Sequence, residues 1–283
     1  MAGLISDAIA KANRDGPRSV LTEGLPWLYS RYRRRVADWY GRTFTRRYLR
    51  VRYETVSDAD RYTYIDPRDV EFYLLQSQHT FNFCDVSLDV PLHEMEKGRF
   101  PPSLFTGIVL PGDWDQYRKP YEFDRVYSGL SHHYEGETPL AETEYMYQYA
   151  LREKVRDDDT YLQRKIQQKR RLYESIRERG FLTQYELGRK AAGTPVSTRP
   201  WGVTVNIGRD GELIFNNSAH TRLAISRLLR LDEIPVLVVV RHREWHAIRE
   251  EIRGANTESE LSNRAKGHLD HPDVQEFVSE NWQ

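Results

Sequence analysis

The run NNSAHTRLAISRLL, residues 216–229, sets small polar residues ahead of a histidine, an arginine and an apolar helical pattern. A helix starting there presents unpaired backbone N–H groups and a partial positive charge, both suited to phosphate. Asn217, Ser218 and Ala219 would bring backbone to the anion, His220 or Thr221 would add a donor, and Arg222 would add charge from the first turn. The plainer alternative is a helix capped by Ser218 with Arg222 in a structural ion pair. A second stretch, PGDWDQY, places Asp113 and Asp115 either side of Trp114 on a Pro-Gly turn. Such a pair of carboxylates fits Mg²⁺, or one of them fits a general base towards a hydroxyl acceptor. Its alternative is an Asx turn with Trp114 packed inward. Arg241 and His242 close the apolar run IPVLVVVRH, and strand ends of that kind gather ligands in open α/β sheets, so both rank next as phosphate or nucleotide contacts. His132 and His133 are adjacent, and a metal pair on a helix needs a spacing of three or four.

These residues need a scaffold, and the chain of 283 residues is long enough to bury a core. Its composition, 39% hydrophobic and 30% charged, is that of a polar globular protein, with no apolar stretch able to span a membrane. The start MAGLISDAIAKANRDG lacks the features of a signal peptide, so a cytoplasmic location is expected. A single cysteine, Cys84, excludes an internal disulfide and a cysteine-built zinc site. Net charge is zero, yet residues 1–52 hold twelve Lys/Arg against four Asp/Glu. The stretch Arg31–Arg52, with Arg33, Arg34, Arg35, Arg46 and Arg47 among interleaved aromatics, suits DNA phosphates or another anionic partner. A solvated helix face paired with the acidic remainder is the alternative reading.

Periodicity predicts helices over 3–14 and 26–39, a strand near 43–53, and a strand ending at Ile65 before Pro67 opens a turn. Residues 77–120 read as long loops with a strand at FTGIVL. Three helices follow, from YEFDRVYSGLSHHY, from PLAETEYMYQYALREKV, and from DDDT to Gly180; in the third, RKIQQKRR reads as the wet face. WGVTVNI and ELIFN form a hairpin about GRDG, IPVLVVV is a strand buried on both faces, and a last helix begins near Glu244.

Four elements in order carry a resemblance: Leu172 to Gly180 (L-x-x-S-I-x-x-x-G), the Asp210–Gly211 turn, the box from Ala219 to Ala224, and Ile234 to Val236. In this the chain resembles the ParB/sulfiredoxin-like domain superfamily. The resemblance implies an α+β fold, a small mixed sheet with flanking helices, carrying a large insertion and a basic helical N-terminal extension. The implied boundaries are an extension over 1–55, a domain over 56–255 with an insertion near 77–160 and core motifs over 165–245, and a polar tail over 256–283. It also implies a nucleotide di- or triphosphate with Mg²⁺ as ligand, and a phosphotransferase or nucleotide hydrolase as the function. A non-enzymatic, partition-like DNA-binding adaptor using Arg31–Arg52 is the alternative. Two departures stand in the box: Ala219 replaces the usual glycine, and Thr221 replaces a basic or histidine residue. His220 replaces the cysteine of sulfiredoxins, which excludes their chemistry. The nucleotide's base and the acceptor are not legible in the sequence.

Overall fold

The computed structural model describes residues 54–56, 61–75, 82–83, 86–87, 106–153, 159–183, 202–216 and 219–281. Its strands are β1 (Glu54–Thr55), β2 (Tyr62–Ile65), β3 (Phe72–Leu74), β4 (Asn82–Phe83), β5 (Val86–Ser87), β6 (Ile108–Leu110), β7 (Arg118–Pro120), β8 (Val203–Ile207), β9 (Leu213–Phe215) and β10 (Ile234–His242). The helices are α1 (Arg125–Tyr134), α2 (Glu144–Glu153), α3 (Asp159–Arg179), α4 (His220–Leu228), α5 (Arg243–Gly254), α6 (Asn263–Lys266) and α7 (Gln275–Asn281). The arrangement is α+β. The expected helices over 3–14 and 26–39 and the strand near 43–53 lie outside the described residues.

Eight strands form one mixed sheet ordered β1-β6-β10-β8-β9-β3-β7, with β2 also paired to β10. All nine residues of β10 are buried, as its unbroken apolar run predicts. Parallel β8 lines one side of it. On the other side, antiparallel β2 covers the first half and parallel β6 covers Val240–His242. The stretch expected to be an insertion around the fold is therefore woven into it. A strand as long as β10 outruns the four residues of β2, and β6 supplies the backbone partners for its remainder. β7 likewise pairs with β3.

The alternation V-T-V-N-I in β8 does not mark a wet face, because Thr204 and Asn206 are as buried as their apolar neighbours. Register shifts between Val238 and Arg241, where β10 bulges against β8. Asn206 Oδ1 accepts the Val240 N–H at 3.3 Å, satisfying a backbone donor within that bulge.

Two apolar clusters meet at α4. Leu223 joins the sheet core of Val203, Val205, Phe215, Val236 and Trp245, whereas Ala224 and Ile225 join a helical core of Leu130, Met146, Ile166 and Ile176. Helix α1 approaches α2 at Gly129, where a Cβ would overlap that of Tyr145. Helix α3 stops at Gly180, whose φ of 71° is the left-handed value that glycine adopts freely and whose N–H bonds Ile176 O at 2.9 Å.

Residues 256–281 are no trailing polar tail. Leu261, Ala265, Val274 and Phe277 are buried in the sheet core alongside α5. Their polar neighbours mask a sparse apolar pattern that docks because Asp273, fully enclosed, accepts from Arg241 and from Trp245 Nε1.

Candidate functional site

Helix α4 begins at Ala219, whose φ of 63° and ψ of 38° are left-handed, and among the described residues no side chain caps that end. The Arg222 and Leu223 N–H groups both turn back to Ala219 O, at 2.9 and 3.2 Å. The start of α4 opens into a cavity of about 740 Å³. Its floor is Ala219, His220, Thr221 and Arg222; its walls come from the start of α1 and from α2 and α3.

Arg222 is 9% exposed and stacks on Phe181, with 4.1 Å from its guanidinium carbon to the ring centre. One guanidinium nitrogen donates to Leu182 O, while Nε has no hydrogen-bond partner among the described residues. No carboxylate among the described residues pairs with it. Burial pulls its pKa down to about 10, so it stays charged at neutral pH. Across the cavity, Lys169 Nζ lies 3.4 Å from Thr221 Oγ1 and 4.7 Å from the Tyr145 ring centre. Arg125, Gln148 and Tyr149 complete the walls.

His220, the first residue of α4, turns its ring edge to Phe215 and holds Nδ1 3.3 Å from Asp124 Oδ2. Asp124 is the N-cap of α1: its Oδ1 accepts from the N–H of Val126 and of Tyr127, each at 3.0 Å. The carboxylate thus caps one helix with one oxygen and meets the histidine of another with its second.

Four of the sequence-derived site residues therefore converge, and four others do not. Strands β6, β8 and β10 run parallel, so Asp113, Asp115, Arg241 and His242 follow or end strands at the edge of the sheet that carries the Gly208–Gly211 turn. Antiparallel β9 carries the chain back, and Asn216 pairs with Thr204 before α4 starts. About four residues of β8, roughly 13 Å of strand, separate the two edges.

At that far edge the carboxylates are already engaged. Asp115 is fully buried and takes Arg209 through both oxygens and through the backbone N–H; Asp113 takes the same guanidinium at 2.7 Å. Burial pushes the Asp115 carboxyl up, but the Arg209 hydrogen bonds outweigh it and hold it below the usual carboxylate range. The Arg209 guanidinium thus bridges the two carboxylates. Among the described residues no group of three His, Cys, Asp or Glu could hold a metal ion. His242 bonds Gly112 O at 2.8 Å and caps α5, and Arg241 pairs with Asp273. These are ties between segments.

Asn217, Ser218, Cys84 and the arginines Arg33, Arg34, Arg35, Arg46 and Arg47 lie outside the described residues. Sequence reasoning missed Asp124, Lys169 and Tyr145. Asp124 carried an N-cap signal, standing just before the helical pattern of RVYSGL. Lys169 was hidden in a basic run in which Arg164, Arg170 and Arg171 are exposed. No described helix is long and apolar enough to cross a membrane. Comparisons with family models, curated proteins and solved structures found nothing that matches this chain.

Proposed function

We propose that the cavity at the start of α4 binds the phosphates of a nucleotide and that the protein acts on them, as a phosphotransferase or nucleotide hydrolase. One observation carries the reading: Arg222, whose buried, charged guanidinium has no carboxylate partner among the described residues, is one of the residues lining the cavity at the start of α4. A structural arginine buried to that degree is ordinarily paired. An arriving phosphate would supply the missing anion, accept from the helix amides and approach Lys169. Tyr145 and Tyr149 are the aromatic residues among the cavity's lining and the candidates for stacking a base. The resemblance of the box to that of ParB/sulfiredoxin-like domains supports the same ligand class.

Isothermal titration with ATP, CTP and ADP in the presence of Mg²⁺ tests this. Binding is expected, weakened about 10- to 100-fold in Arg222→Ala, the loss typical of a charge-assisted hydrogen bond. Lys169→Met keeps the stem that packs on Tyr145 and is expected to weaken binding severalfold. Absence of heat with all three nucleotides overturns the reading.

A further inference from the structure

We propose that Asp124 and His220 form a general-base dyad, which makes the site a hydrolase using water as the nucleophile. The inference rests on phosphate binding at the start of α4 and goes beyond it by assigning the chemistry. His220 is a third exposed and lines the cavity, one residue from Thr221 and two from Arg222. Any anion held by the first amides of α4 lies within reach of this side chain. Asp124 is 6% exposed, and capping α1 requires only its Oδ1. Its Oδ2 is left for His220 Nδ1. A carboxylate accepts but does not donate, so this contact places the imidazole proton on Nδ1 and leaves the Nε2 lone pair free. Nε2 makes no hydrogen bond among the described residues. The ring is held from two sides, by Asp124 and by the edge-on contact with Phe215 at 4.8 Å between ring centres. This is the arrangement of a base oriented by a third group.

The step balances with water alone. The water oxygen forms a bond to the bound phosphorus while the bond from phosphorus to the bridging oxygen breaks. That oxygen leaves with the electron pair on the departing phosphate. Nε2 takes the proton from the attacking water, and the Asp124 carboxylate offsets the imidazolium charge until the proton passes to the leaving group or to solvent. Arg222, Lys169 and the α4 amides hold the phosphoryl oxygens. His220 is the catalytic residue, and Asp124 is a positioning residue.

The test follows release of phosphate and diphosphate from ATP and from CTP in the full-length protein, alongside nucleotide binding by titration. His220→Ala is expected to lower kcat roughly 100- to 10,000-fold, the range of a general base, while binding changes less than about threefold. Added imidazole is expected to restore part of the rate. His220→Gln fills the same space and is expected to be as inactive. Asp124→Asn keeps an N-cap oxygen but turns an N–H₂ towards Nδ1, favouring the wrong tautomer. It is expected to lose kcat at unchanged KM, with a melting point within a few degrees of the parent. Wild-type rates in both His220 variants overturn the dyad, and an unchanged kcat in Asp124→Asn overturns the positioning role. Nucleotide binding without release of either product overturns the dyad and leaves the binding reading standing. No binding of ATP or CTP overturns both.

Discussion

Ala219 occupies a left-handed conformation, with φ at 63°, that costs an L side chain about 1–2 kcal/mol. A glycine in the same place adopts it freely. Ala219→Gly is expected to stabilise the protein by about 0.5–1 kcal/mol after the added freedom of the unfolded chain is deducted. Differential scanning calorimetry should show a midpoint higher by about 2 °C. Arg222 makes the opposite trade. Its pKa falls to about 10 from the ordinary arginine range, a preference against the charged form on the order of 3 kcal/mol at neutral pH. The sign is that of a base depressed by folding: the penalty is constant at neutral pH and is relieved only as pH rises past about 10. Arg222→Met is therefore expected to raise the unfolding midpoint of the free protein while removing nucleotide binding. A lowered midpoint would mean that the bond to Leu182 O outweighs desolvation.

At the scale of elements, the cavity wall depends on how closely two helices approach. Gly129 lets α1 lie against Tyr145 of α2, and a methyl group there must push α2 away. Gly129→Ala is expected to cost about 1–3 kcal/mol despite its better helix propensity, and to weaken nucleotide binding by displacing Tyr145. Chemical denaturation with titration of the same variant measures both. The bulge of β10 is a second such point. Asn206 shows why a polar residue alternates into a fully buried strand: its oxygen accepts a backbone donor there. Asn206→Leu is expected to cost about 1–3 kcal/mol, because the Val240 N–H is left buried and unpaired. A cost near zero in the denaturation curve would show that the bulge closes on its own.

For the whole molecule, the C-terminal segment is clamped by buried charge. Asp273 meets Arg241 and Arg249, and His271 donates from Nε2 to Gly211 O at 2.9 Å while Nδ1 accepts the Asp273 N–H at 3.1 Å. Both nitrogens of His271 are thus committed to the neutral ring, and burial lowers its pKa below the usual 6.5. The unfolded chain takes up that proton first, so stability is expected to decline as pH falls below about 6.5. Burial pushes the Asp273 carboxyl up, but the attraction of Arg241 outweighs it and holds the pKa below 3.8. Its contribution is present above that value and is lost as pH falls through the lowered pKa. Asp273→Asn is expected to cost about 3–5 kcal/mol, because it removes the buried carboxylate that Arg241 and Arg249 share. Melting curves from pH 8 to pH 3 check both, and a His271→Gln variant should flatten the upper part of the decline.

Local pattern was enough for the elements that declare themselves in consecutive residues. The buried strand IPVLVVV, the hairpin about GRDG, the three helices before it and the start of α4 all follow from periodicity and punctuation that a few neighbours supply. The candidate site was legible only where it is contiguous, from Ala219 to Arg222. Strand direction then decided which distant residues could join it. Parallel β6, β8 and β10 carry Asp113, Asp115, Arg241 and His242 to one edge, while antiparallel β9 returns the chain to the other. Asp124, Lys169 and Tyr145 reach His220 and Thr221 by the packing of α1, α2 and α3 against α4, and the C-terminal segment joins the core through Leu261, Ala265, Val274 and Phe277 together with the buried Asp273. Pairing and packing act between residues far apart in sequence. Their outcome depends on which surfaces meet, and no short window of the chain contains that information.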